Sequence, residues 1–200
     1  MNPAPYLLYL HGFRSSPRSF KARVVEERLE QAGLGERLIC PQLPASPKAA
    51  MAMVLGLAER HAPANLAIIG SSLGGFYATW LAERLGVRAA VINPSVDPTR
   101  NLSRHVGITT AWHSDEAFEF REEYIGELAE LRVAQITRPD RYYLLAATGD
   151  EVLDYREMVA HYQGARQHVI EGSDHAIAEF AQYVDEVLAF CGFSTAGTAG

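Results

Sequence analysis

The sequence predicts an α/β fold: a mostly parallel six-stranded sheet with helices on both faces and a small helical insertion after the fourth strand. Three observations predict it. Six short apolar runs recur along the 200 residues, most of them continuous rather than alternating, as strands covered on both faces require. Longer amphipathic stretches separate them, and this βαβα rhythm favours a doubly wound sheet with right-handed crossovers. One apolar run also ends directly on a glycine-flanked serine that opens a helix, a strand–turn–helix unit typical of such sheets.

The elements follow in order. Tyr6–Leu10 is the first strand, and Ser16-Pro17 then reads as an N-cap with proline in the first turn of a helix closed by Gly33. In that helix Phe20, Val24 and Leu29 are taken as the apolar face. Arg37–Cys40 is the second strand. Ser46-Pro47 repeats the helix-start signal ahead of Met51, Val54, Leu55 and Ala58. Leu66–Ile69 is the third strand and Leu73–Leu85 the next helix; Ala89–Ile92 is the fourth strand. Tyr142–Ala147 and Gln167–Ile170 complete the sheet, and Ala176–Phe190 is the closing helix.

Between Asn93 and Asp140 no strand is evident. Trp112, His113, Phe118, Phe120 and Tyr124 mix with Glu119, Glu122, Glu123, Glu127 and Glu130, while Ile125 and Leu128 recur among the acids. This reads as one or two amphipathic helices, an insertion over the sheet edge at about 94–140. It is either a substrate-covering lid or a solvated charged helix. Ser194–Gly200 is small and polar and reads as a frayed tail.

Composition narrows the class. The length fits one domain with a single core. A net charge of −6 argues against a general nucleic-acid binder, although it leaves room for a local basic pocket. Cys40 and Cys191 are the two cysteines, which points to a reduced compartment rather than a disulfide framework. The N-terminus lacks a signal-peptide pattern, and no apolar run approaches the roughly 18 residues of a membrane span. The expectation is a soluble, cytoplasmic protein.

The chemistry concentrates at Gly70-Ser71-Ser72-Leu73-Gly74, a Gly-x-Ser-x-Gly pattern between a strand and a helix. So sharp a turn holds its central residue in an unfavourable backbone conformation, and flanking side chains would collide. Ser72 then projects above the strand ends at a helix N-terminus that favours negative charge. A plain N-cap serine and a phosphate loop compete with this reading, but Gly-Lys-Ser/Thr and Gly-x-Gly-x-x-Gly are both missing. Ser71 lacks the paired glycines. Ser72 is therefore the candidate nucleophile.

A serine hydroxyl needs a base and an orienting acid, which in sheets of this type follow it in the order acid, then histidine. Asp150 stands just past the fifth strand in Thr148-Gly149-Asp150, and His175 stands past the sixth in Glu171-Gly172-Ser173-Asp174-His175. Asp154 and Glu151 are the competing acids; Asp150 is preferred because it follows Gly149 at the strand end. Of the other histidines, His61 and His161 fall late in helices, His168 lies in a strand, and His105 and His113 belong to the insertion. His11-Gly12-Phe13 ends the first strand. Gly12 lets that loop approach Ser72, so the backbone N–H groups of Phe13 and Leu73 are the candidate oxyanion donors. His11 reads as structural. Arg14, Ser15, Ser16 and Arg18 are positioned either to meet an anionic part of a substrate or simply to solvate a helix start.

Longer blocks then carry a resemblance. His11–Ser19, Pro41–Pro44, Gly70–Trp80, Thr148–Tyr155 and Val169–His175 resemble the YqiA-type bacterial esterases of the α/β-hydrolase superfamily, with matches from Tyr6 to about Phe190. The resemblance implies an α/β-hydrolase fold and a serine esterase acting on short acyl esters, with acyl-CoA thioesters as a further class. It implies a Ser72–His175–Asp150 triad and neither metal nor organic cofactor; the partner is a small-molecule acyl substrate. Acyltransferase or peptidase chemistry on the same residues, or a non-catalytic binding protein on this fold, are the alternatives. The chain opens at what would be the superfamily's third strand, and the insertion matches least well.

Overall fold

The computed structural model describes residues 5–110 and 117–194. Strands β1 (Tyr6–Leu10), β2 (Leu38–Ile39), β3 (Leu66–Ser71) and β4 (Arg88–Ile92) are followed by a short pair, β5 (Gly107–Thr110) and β6 (Ala117–Phe120). Strands β7 (Tyr142–Ala147) and β8 (Arg166–Ile170) come last. The helices are α1 (Phe20–Gln31), α2 (Pro47–Ala58), α3 (Leu73–Leu85), α4 (Pro98–Leu102), α5 (Glu123–Glu130), α6 (Tyr155–His161) and α7 (Val184–Phe190). The main sheet has the order β2-β1-β3-β4-β7-β8, with every neighbouring pair parallel.

Successive strand residues point to opposite faces, so each apolar run feeds two cores. Leu8, Leu10, Ile68, Val91 and Leu144 pack with α2, α3 and Leu128 of α5. Leu7, Tyr9, Ile69, Ile92 and Leu145 pack with Val25 and Leu29 of α1 and Val187 and Leu188 of α7. A fully buried aliphatic side chain of this kind contributes about 1.5–3 kcal/mol of transfer free energy, which is why these strands tolerate no alternating polar residue. Among the described residues no helix is long and apolar enough to cross a membrane.

Several boundaries differ from the sequence expectation. Ser16-Pro17 forms a separate turn, with Ser19 N–H donating to Ser16 O at 3.0 Å; Ser19 is the N-cap of α1. The buried face of α1 is Ala22, Val25 and Leu29, while Phe20 is 42% exposed. At 100° per residue Leu29 lies opposite Phe20, so the expected grouping does not share a face. Ser46 does cap α2: its hydroxyl oxygen accepts from Ala49 N–H at 3.1 Å, with Pro47 in the first turn. The closing helix begins at Val184 rather than Ala176, because Ile177 is fully buried at a left-handed φ of 48°, which interrupts an α-helix.

The insertion is the largest correction. It is not purely helical: β5 and β6 pair antiparallel, with Gly107 opposite Phe120. Ile108-Thr109-Thr110 supplies the β-branched run that favours a strand. The expected amphipathic helix is present as α5, with Leu128 buried. The Glu127 carboxylate accepts from Ser46 Oγ (2.7 Å) and Lys48 N–H (2.9 Å) at the N-terminus of α2, where a negative charge is favoured. Phe120 is buried against Phe13 and Tyr124, with ring centroids at 5.1 and 5.5 Å, which places the insertion beside the loop after β1. Trp112, His113 and the tail from residue 195 onward lie outside the described residues.

The chain leaves β1 for β2 on one side, then returns to β3 on the other. Strand order reverses there, and in open parallel sheets a crevice forms outside the carboxyl ends of the strands flanking such a reversal. Those ends carry His11-Gly12-Phe13 and Ser72.

Candidate active site

Ser72 sits between β3 and α3 at φ 57° and ψ −121°. Strain of this kind costs on the order of 1–3 kcal/mol and persists only when the surroundings over-determine it. Here Ser72 N–H donates to Ile92 O (3.0 Å), and its carbonyl accepts from Gly75 (2.9 Å) and Ser95 (3.1 Å). The flanking glycines are a steric necessity. A Cβ on Gly70 would overlap the Gly74 carbonyl, and one on Gly74 would overlap the Leu10 carbonyl.

The imidazole of His175 bridges to both other candidates. Its Nε2 lies 3.0 Å from Ser72 Oγ, and its Nδ1 lies 2.7 Å from Asp150 Oδ2. An ionised Asp150 can only accept, so the network assigns the proton to Nδ1 and leaves Nε2 to accept from the serine hydroxyl. The Asp150 side chain is fully buried, and its Oδ1 accepts from Val152 and Leu153 N–H at 2.8 Å each, which aims the other oxygen at the ring. Asp154, the competing acid, caps α6 by accepting from Arg156 N–H (2.9 Å). Glu151 turns elsewhere: Oε2 accepts from His175 N–H at 3.0 Å.

The loop carrying His175 is strained, with Ser173 at φ 59° and Ile177 at 48°. It is held peptide by peptide. Asn93 Nδ2 donates to the Asp174 and His175 carbonyls (3.1 Å each), and Lys21 Nζ donates to Ala176 O (2.6 Å). Gly149 N–H donates to Gly172 O (2.9 Å). Burial lowers the Lys21 ammonium to about 8, partly offset by the nearby Asp174 and Asp150 carboxylates.

Asn93 is the residue that sequence reading missed. It is fully buried at φ 40°, next to Ser72 in register, and its Oδ1 also accepts from Ala147 N–H (2.9 Å). The available signal was a polar residue closing the apolar run Ala89–Ile92 of β4, beside the strand of the serine. Replacing Asn93 with alanine removes three hydrogen bonds at once. It is expected to cost about 2–4 kcal/mol in urea unfolding and to lower turnover by displacing His175.

His11 has a structural place. Leu43 N–H donates to His11 Nε2 (3.0 Å), which assigns the proton to Nδ1 and lets it donate to Gly12 O (3.0 Å). The ring ties the loop after β1 to the Pro41–Pro44 segment. Burial lowers its pKa from the ordinary 6.5, so this histidine stays neutral in the folded chain. The unfolded chain takes up a proton near 6.5, so stability is complete above that pH and is lost as pH falls toward the folded value. His11→Ala strands the Leu43 N–H and is expected to cost about 1–3 kcal/mol near pH 7.5. That difference from wild type should shrink in urea melts run at pH 5.5. A constant difference across the range overturns the neutral assignment.

His105 lines the same cavity as Ser72, and three other histidines are engaged elsewhere. His61 packs on the Tyr6 ring, His161 meets Tyr162 edge to face, and His168 Nδ1 lies 2.8 Å from Glu186. Gly12, Phe13, Ser71, Ser72, Leu73, and His175 line one cavity of about 490 Å³. A Cβ on Gly12 would stand 3.2 Å from Ser72 Cβ, so the β1 loop passes directly over the serine. Leu73 is the first residue of α3.

A parallel sheet with its serine at a strand–helix elbow, and acid and histidine on the loops after β7 and β8, defines the α/β-hydrolase class. Solved structures share the fold. A predicted hydrolase of Agrobacterium vitis S4 aligns with a TM-score of 0.74 at 18% identity, covering 94% of this chain and 88% of the other. Mouse alpha/beta hydrolase domain-containing protein 10 aligns at 0.70 and 18%, over 94% and 90%. The esterase domain of a Rhodothermus marinus protein aligns at 0.59 and 22%, over 94% and 86%. The chain belongs to the YqiA-type uncharacterised protein family UPF0227, whose model matches residues 6–192.

Proposed function

We propose that this chain is a serine esterase that cleaves small acyl esters through an acyl-enzyme. One observation carries the reading: the continuous Ser72–His175–Asp150 hydrogen-bond chain opens into the cavity. His175 Nε2 takes the Ser72 proton as Oγ attacks the ester carbonyl, and Asp150 stabilises the imidazolium. The Phe13 and Leu73 N–H groups hold the oxyanion, each donor worth roughly 10²–10³ in rate. Collapse expels the alcohol, which leaves with the proton from His175. Water, deprotonated by the same imidazole, then releases the acid and restores the serine. Thioesters enter by the same steps with a thiol as leaving group. The esterase assignment of the Rhodothermus marinus neighbour supports the reading by analogy of fold.

The test is a hydrolysis panel of esters and thioesters of graded acyl length, run beside labelling with a fluorophosphonate probe. Covalent modification of the peptide carrying Ser72, with turnover of at least one ester series, is the expected result. No label and no turnover would reduce the fold to a binding module.

A further inference from the structure

Three carboxylates crowd the histidine loop. Asp150 accepts from the His175 ring, Glu151 accepts from its backbone N–H, and Asp174 directly precedes it in the chain. Among the described residues no hydrogen-bond donor reaches Asp174 Oδ1, although that oxygen is buried. Carboxylates gathered round an imidazole favour its charged form. That works against a general base, which must be neutral to take the serine proton. Lys21 opposes them. It reaches the loop from α1, and its Nζ donates to Ala176 O at 2.6 Å, one peptide beyond His175. Its side chain lines the same cavity as Ser72 and His175.

The fields of Asp174 and Asp150 both act on the Lys21 ammonium and partly restore the charge that burial weakens. Because burial lowers it only to about 8, Lys21 stays charged through the interval near 6.5 where a histidine ordinarily titrates. The other titratable groups of the neighbourhood are Glu151, after β7, and Tyr9 of β1, whose phenol burial keeps protonated. Arg14, Arg104 and His105 line the cavity from the loop after β1 and from the insertion. Farther along α1, Arg28 takes the carboxylate of Asp185 near α7. We infer that Lys21 is a positioning residue that fixes the histidine loop through Ala176 and, by offsetting Asp150 and Asp174, sets the pH below which His175 stops serving as base. The inference rests on the reading of His175 as the base of Ser72 and adds the group that tunes it.

Two midpoints test it in the full chain: that of the acid limb of kcat/KM for a p-nitrophenyl ester, and that of the His175 ring protons in an NMR titration. Lys21→Met is expected to move both to higher pH by about half a unit to one unit, the scale of one charge lost in surroundings of intermediate dielectric. Below the limb this is a loss of about three- to tenfold, added to whatever loss persists on the plateau. Lys21→Arg keeps the charge and should leave both midpoints near wild type. Asp174→Asn removes an opposing charge and should move both to lower pH, which decides the matter even where Lys21→Met does not fold. A Lys21→Met profile that falls by one factor at every pH marks a merely structural lysine and overturns the inference, with the esterase reading left standing. An Asp174→Asn midpoint that stays in place or rises overturns it as well. Shifted NMR midpoints in a protein without Ser72-dependent turnover support the coupling between Lys21 and His175 and remove the esterase reading.

Discussion

Ser72→Ala is expected to lower ester turnover by roughly 10⁴–10⁶-fold at saturating substrate while leaving the fold intact. The substitution removes the oxygen that His175 Nε2 contacts at 3.0 Å and nothing that the cores depend on. Backbone strain at φ 57° is the same for alanine as for serine, and the bonds that restrain it run through the main chain to Ile92, Gly75 and Ser95. Urea midpoints should therefore agree with wild type to within about 0.5 kcal/mol. Residual turnover above water is expected, since oxyanion donors and binding act without the nucleophile. A variant within tenfold of wild type would remove Ser72 from the mechanism, and neighbouring Ser71, buried at the end of β3, would become the residue to test.

Asp150→Asn carries the second-largest expectation, a loss of about 10⁴-fold. The asparagine oxygen can still accept from Val152 and Leu153, so the loop keeps its shape. Its amide, however, presents N–H to His175 Nδ1. The ring then shifts its proton to Nε2, which faces Ser72 Oγ as a donor and can no longer take the serine proton. Asp154→Asn is the control. That residue caps α6, and asparagine caps about as well as aspartate, so rate and stability should stay within a factor of two or three. The reverse ranking would exchange the two acids.

Much of the site was legible because its chemistry is local in the chain. Gly70 and Gly74 announce the elbow through sterics alone, and Asp150 and His175 stand on the short turns that follow two strand segments. In the insertion the helix α5 was legible, but the β5–β6 pair was not, because it owes its place to long-range contacts such as Phe120 against Phe13. No pattern within residues 94–140 encodes those partners. The closing helix misled for a related reason: helical propensity yields to the burial of Ile177 and to a loop pinned by Asn93 and Lys21.

By itself the sequence determined the parallel α/β architecture and pointed to Ser72 and Asp150 as candidates, because periodicity and turn chemistry act between near neighbours. Tertiary structure alone decided that Asn93 braces the histidine loop, that Asp154 is a cap, and that the β1 loop and the insertion line one cavity. Those facts depend on residues many positions apart meeting in space, and only the packing of the two cores brings them together.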